Sequence, residues 1–178
     1  MNNHKDFSLH ALYLELDSVR EQQGLSWSEV AKAINGASNR TLDKPTTGHA
    51  LAASTIKATE VRSIMEGDGI LQMLRWLNRS PESFVPGFAN GELDKYSLPV
   101  PPEGCMIRFD TRKIYTTIDD AIQRRGISWK QAAEEMGAAI TQLKHLEKGG
   151  RTSFPMVVRI ALWLDIPTAQ FVRIILHQ

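Results

Sequence analysis

The sequence predicts an all-α protein built as two tandem helical units joined by a Pro/Gly-rich linker. Three observations lead there. The chain is similar to itself over most of its length, each copy places apolar residues at helical spacing, and a run of turn residues separates the copies. With 178 residues, 42% of them hydrophobic, the chain is long and apolar enough for two small packed cores.

The internal similarity is the main evidence. Tyr13-Leu14-Glu15-Leu16-Asp17 matches Tyr115-Thr116-Thr117-Ile118-Asp119, and Gly24-Leu25-Ser26-Trp27 matches Gly126-Ile127-Ser128-Trp129, both at an offset of 102 residues. From Ser54-Thr55-Ile56-Lys57 against Thr141-Gln142-Leu143-Lys144 the offset becomes 87. It holds for Trp76-Leu77 with Trp163-Leu164 and for Phe84-Val85 with Phe171-Val172. Chance similarity rarely keeps its spacing through so many landmarks. The change of offset places 15 extra residues between the second and third helices of the first copy.

The first copy spans residues 9–85. Leu12, Leu16 and Val19 line its first helix, and Val30, Ala31 and Ile34 line its second. The insert, at about 36–50, contains Gly36, Pro45, Thr46-Thr47 and Gly48. An uninterrupted helix through Pro45 would lose a hydrogen bond and meet the ring, so a loop is expected, with Asn39, Arg40 and Lys44 as its polar reach. The repeat places the third helix at about Ala52–Thr59. A rival register uses Ser38-Asn39-Arg40-Thr41-Leu42, directly after Gly36. The 22-residue spacing from Ser54 to Trp76 equals that from Thr141 to Trp163 and favours the former.

Residues 86–110 read as the linker, through Pro86-Gly87, Asn90-Gly91, Pro99, Pro101-Pro102 and Gly104. Val100, Cys105, Met106, Ile107 and Phe109 are too apolar for a solvated tether, so part of it is expected to pack on a unit, a short strand being one form.

The second copy, residues 111–178, is the more regular. Ile114, Ile118, Ala121 and Ile122 give the first helix one apolar face, and Gly126 ends it as a left-handed cap. Ser128 with Gln131 three residues later is a capping-box pattern for the second helix. Ala132, Ala133 and Met136 face inward on that helix, and Gly137 closes it. The third runs from about Ala139 to Glu147 with Leu143 and Leu146 inside, and stops at Gly149-Gly150. Pro155 suits the first turn of the fourth, whose inner face is Val157, Ile160, Ala161 and Leu164. Pro167 opens a last short helix, and Phe171 and Val172 close the core.

The ordered set Ile127-Ser128-Trp129-Lys130-Gln131-Ala132-Ala133-Glu134-Glu135-Met136-Gly137, then Leu143 and Leu146-Glu147-Lys148-Gly149, resembles the phage-repressor (lambda-repressor-like, or XRE) helix-turn-helix family. The resemblance covers about Thr111–Val172 and, with one interruption, Leu9–Val85. It implies two tandem five-helix units whose third helices lie in the major groove of double-stranded DNA. Carried over by position, the base readers in the second copy are Ile140, Thr141, Gln142, Lys144 and His145, with Lys148 and Arg151 where phosphate contacts fall. In the first copy the reader positions hold Ser54, Thr55 and Lys57.

Two departures matter. The family often has Gln at the start of the second helix, where both copies here have Trp, at 27 and 129. Packing and a DNA or partner contact stay open for these two indoles. The first copy also has Arg62 opposite Gly149, which leaves open whether it reads DNA or serves as a structural partner. The implied function is a sequence-specific, DNA-binding transcriptional regulator whose joined copies act as a covalent pseudo-dimer. The alternative is a protein-interaction module that keeps the fold and has lost DNA.

Composition narrows the remaining classes. The net charge is +1, residues 1–90 carrying −1 and residues 91–178 carrying +2, so any DNA-binding face has to be a local patch. One cysteine, Cys105, excludes an internal disulfide, and the five histidines make no metal-ligand spacing; no metal and no cofactor are expected. The adjacent carboxylates Asp119-Asp120 and Glu134-Glu135 cannot share a helix face, and no Gly-rich phosphate loop follows a strand. No catalytic constellation is visible, so an enzyme is not expected. Trp76 and Trp163 sit in apolar helical stripes and are expected in the core. The tail Phe171-Val172-Arg173-Ile174-Ile175-Leu176 exceeds the need of one small unit; it is either buried within the chain or forms a homodimer contact. No signal peptide or membrane span is visible, which gives a cytoplasmic, nucleoid-associated protein with no membrane partner as the expectation.

Overall fold

The computed structural model describes residues 6–37, 50–88 and 93–176. Eight α-helices lie among them: α1 Leu9–Gln22, α2 Trp27–Ala37, α3 Ala53–Lys57, α4 Gly67–Leu77, α5 Thr111–Arg125, α6 Trp129–Met136, α7 Ile140–His145 and α8 Phe154–Leu164. Short 3₁₀ turns follow α3 and α7, at Ala58–Glu60 and Leu146–Lys148, and others occur at Pro81–Phe84, Leu93–Tyr96 and Thr168–Phe171. The chain is thus mostly helical, and the element order from α1 to Pro81–Phe84 occurs again from α5 to Thr168–Phe171. The insert with Asn39, Arg40 and Lys44, and the rival register at Ser38–Leu42, lie outside the described residues.

Local chemistry sets the helix ends. Ser8 and Asp110 cap α1 and α5 by accepting from Ala11 and Lys113 N–H, and Ser153 caps α8 ahead of Pro155. Ser128 and Gln131 form the expected capping box on α6; in the first repeat Ser26 and Glu29 make the same reciprocal bonds on α2. Those bonds to Ser26 hold the Glu29 carboxyl below its usual range, the backbone bond contributing most. Gly126, Gly137 and Gly149 all take the left-handed conformation after α5, α6 and the turn beyond α7. Asn78 and Asp165, equivalent positions, do the same after α4 and α8.

The expected inner faces are buried: Leu12 and Leu16; Val30, Ala31 and Ile34; Ile114, Ile118, Ala121 and Ile122; Ala132, Ala133 and Met136; Leu143 and Leu146; Val157, Ile160 and Ala161. Val19 and Leu164 stand only half-buried at the rim. Trp76 and Trp163 are half-buried too. The Trp163 indole N–H donates to Glu135 Oε2 at 2.7 Å and Arg125 lies 4.8 Å over its ring, so its edge is polar.

Two strands supplement the helices. β1 Cys105–Phe109 pairs antiparallel with β2 Val172–Leu176, Ile107 opposite Ile174. The apolar end of the linker and the apolar tail therefore cover each other. The last expected helix is only the 3₁₀ turn Thr168–Phe171, because Val172 turns extended to join the sheet. Gln72 on α4 donates to Ile107 O at 3.0 Å, and Asp68 accepts from Phe109 N–H at 3.2 Å, which satisfies the outer edge of β1. Ile174 and Leu176 keep substantial exposure on β2.

The two repeats share one apolar core, and the contact between them maps onto itself. Gly67 N–H donates to Thr152 O at 3.0 Å, and Phe154 N–H donates to Met65 O at 2.9 Å. Gly67 and Phe154, like Met65 and Thr152, are equivalent at the offset of 87, so each bond is the other's image. That is the property of an isologous, two-fold interface, here inside one chain. α4 packs on α8, and Pro81–Phe84 packs on Thr168–Phe171.

Side chains at this contact have diverged. Phe154 is fully buried, its ring centroid 4.7 Å from Phe7 and 5.5 Å from Phe109. Its equivalent is Gly67, where an added Cβ would come within 2.6 Å of the Phe109 ring. Replacing Gly67 with alanine is expected to cost about 1–3 kcal/mol by overpacking, since the first position of α4 returns little of the helix propensity an interior site would. Urea unfolding of the variant checks this.

Glu82 is buried between the repeats and accepts from Thr168 N–H at 2.6 Å, capping the last 3₁₀ turn. Burial raises its carboxyl pKa, against the lowering effect of the Thr168 bond. A raised folded pKa makes its contribution to stability fullest below the unfolded value, and that contribution falls as pH rises through the folded one. The Glu82→Gln chain keeps the acceptor and should gain stability relative to the parent as pH increases from 4.5 to 7. Urea midpoints across that range would show no such divergence if the group were solvated.

Candidate nucleic-acid interface

α6 and α7 are separated by three residues, the first being the left-handed Gly137. Ala132, Ala133 and Met136 are buried beneath the crossing, so α7 lies close against the core and shows one face outward. Leu143 is buried on its inner side, Ile140 is half-buried, and Thr141, Gln142, Lys144 and His145 are exposed together. The structure therefore places four of the second copy's five expected readers on the exposed side of one short helix, whereas Ile140 packs against the core.

Their side chains are partly engaged. Gln142 Oε1 accepts from Ala139 N–H at 3.1 Å, which satisfies an otherwise orphan donor at the start of α7 and turns the amide Nε2 to the exposed side. Bidentate pairing with adenine would use both ends of the amide. With the oxygen engaged, the amide nitrogen is the end left to donate. His145 lies against Gly150, where a Cβ would come 2.7 Å from its Nε2.

The tryptophans at the starts of α2 and α6 take the same position twice. Trp129 stacks on Tyr115 with ring centroids 5.1 Å apart, and Trp27 stacks on Tyr13 at 5.7 Å. Each indole thus braces α6 or α2 against the preceding helix, and both are half-buried. Lys144 Nζ sits 5.6 Å over the Trp129 ring, and Arg20 sits 5.2 Å over Trp27. The sequence had left these indoles open between packing and contact; their ring faces are occupied by Tyr and a cation. Tyr13 and Tyr115 were visible only as landmarks of the repeat, and their identical spacing to Trp27 and Trp129 was the signal for the pairing.

The phosphate candidates fare differently. Lys148 is exposed just before Gly149. Arg151 crosses to the first repeat and pairs with Glu66 at 3.1 Å, both side chains remaining largely in solvent. In the first repeat, α3 stands at the register set by the offset of 87; Ser54 and Lys57 are exposed and Thr55 is half-buried.

Thr141, Gln142 and His145 also border a groove of about 830 Å³ between the repeats, with Arg62, Arg151 and Arg159 among its other residues. Arg62 is legible in the sequence only as the residue opposite Gly149, and Arg159 carries no local signal there. Among the described residues, no group of three or more His, Cys, Asp or Glu side chains could hold a metal ion, and no helix is long and apolar enough to cross a membrane. No family model matches the chain, and neither curated proteins nor solved structures give a match.

Proposed function

We propose that this chain is a sequence-specific, DNA-binding transcriptional regulator in which two helix-turn-helix units of phage-repressor type act as a covalent pseudo-dimer. The observation that carries the reading is the tightly turned helix pair α6–α7, whose second member is short, polar and exposed, with α3 at the equivalent place in the first repeat beyond its insert, the two repeats meeting at a contact that maps onto itself. Helix-turn-helix dimers present two such helices to half-sites about one helical turn, roughly 34–36 Å, apart. The two reader sets differ, Ser54, Thr55 and Lys57 against Thr141, Gln142 and Lys144, so the expected site holds two unlike half-sites.

A selection of the purified protein against random duplex DNA at two salt concentrations tests this. An enriched motif supports the reading. Only weak, steeply salt-dependent retention overturns it. The second reading, a protein-interaction module, draws on the stacked tryptophans and on Arg151 being held by Glu66, which leave fewer free groups for a phosphate backbone.

A further inference from the structure

The groove beside α7 has a smaller counterpart of about 300 Å³ across the repeat contact, and the two are built from equivalent positions. Gln142 corresponds to Thr55, Ser153 to Glu66, Pro155 to Asp68 and Met156 to Gly69. The carboxylates of the smaller groove are therefore a hydroxyl and a proline in the larger. Each groove is bordered by three guanidinium groups, Arg62 and Arg151 being common to both, but the larger has a single carboxylate, Asp6, which Arg159 holds at 2.8 Å, where the smaller has Glu66 and Asp68. Its floor is apolar, with Phe7 and Leu9 buried beneath it, and Ile64 stands on its rim 69% exposed.

We propose that the larger groove binds an amphiphilic organic anion, a small molecule with a carboxylate, sulfonate or phosphate group on an apolar body. Its volume lies within the roughly 300–1,000 Å³ of small-molecule sites, which combine an apolar lining with a few placed polar groups. The anionic group pairs with Arg62 and Arg151, and the apolar body lies against Phe7, Met156 and Ile64. Without the two carboxylates of its counterpart, the larger groove is the member of the pair that an anion can enter. On the DNA-binding reading, on which this consequence rests, the occupant covers Thr141, Gln142 and His145 and so competes with DNA. The groove would then serve as an effector site within the repeats themselves.

The test uses the full chain and two probes of nearly the same shape, 1-anilinonaphthalene-8-sulfonate and the uncharged N-phenyl-1-naphthylamine. Calorimetric titration should show saturable one-to-one binding of the sulfonate, about tenfold or more tighter than the amine. Arg62→Ala should weaken sulfonate binding about fivefold or more, and Ile64→Asp should weaken it similarly. Glu66→Gln, which frees Arg151, should tighten it. Arg62 and Ile64 are exposed, so thermal unfolding of these variants should match the parent. No saturable binding, equal affinity for the amine, or indifference to both Arg62→Ala and Ile64→Asp would overturn the proposal. If the sulfonate binds as stated while no duplex is retained, the groove assignment stands and the DNA-binding reading fails.

Discussion

Replacing Phe154 with alanine is expected to lower stability by about 3–5 kcal/mol, a large share of the roughly 5–15 kcal/mol of a typical domain. The ring is fully buried where the repeats meet and touches Phe7, just ahead of α1, and Phe109 at the end of β1. Its equivalent across the contact is Gly67, which has no side chain to lean into the space. The surroundings thus have little means of collapse, and the cost belongs at the upper end of the range for such truncations. The main-chain bond from Phe154 to Met65 would survive, so the loss isolates packing. Urea unfolding measures it, with Leu14→Ala as an exposed control expected within about 0.5 kcal/mol of the parent. A cost below about 1 kcal/mol would mean that the repeats do not depend on one another for their core.

The second large effect concerns recognition. On the proposed function, changing Gln142 and Lys144 together to alanine should weaken binding to the selected DNA by about 10²-fold or more, since each base contact is worth roughly 1–3 kcal/mol. Losses should concentrate in one half-site, because α3 is untouched. Binding titrations against duplexes altered in one half-site at a time read this out. Gln142 also helps cap α7 through Ala139, so a circular dichroism melt must accompany the titration. An equal loss for both half-sites, or none, would contradict α7 as the reading element.

Much of the helical frame was legible because its signals are local. Ser128 with Gln131, the glycines at 126, 137 and 149, and Pro155 each act within a turn of where they stand, and each is where its pattern put it. The offset of 87 also located α3 on the far side of the insert. What the pattern could not supply was pairing across long separations. Cys105–Phe109 was recognisable as an apolar stretch, but its partner lies 67 residues on, in a tail whose burial and self-association could not be told apart. The contact at Gly67, Thr152, Met65 and Phe154 is made by backbone atoms, which leave no compositional trace. Glu82 looked like any surface carboxylate, and only the packing of one 3₁₀ turn on another removes it from water. For the candidate interface, the sequence gathered the α7 residues onto one element, whereas the Glu66 hold on Arg151 depends on the other repeat.

The self-mapping contact has one more consequence, and it concerns mass action. Where two identical subunits meet at such a contact, assembly is second order and the fraction assembled falls on dilution. Here the partners share a chain, so their meeting is a first-order event whose extent does not depend on how much protein is present. The melting temperature should be the same at micromolar and nanomolar concentration, and any activity that needs both repeats should rise in simple proportion to the number of chains. Tethering also removes the exchange of one partner for another, so each repeat was free to change its side chains against a single fixed neighbour.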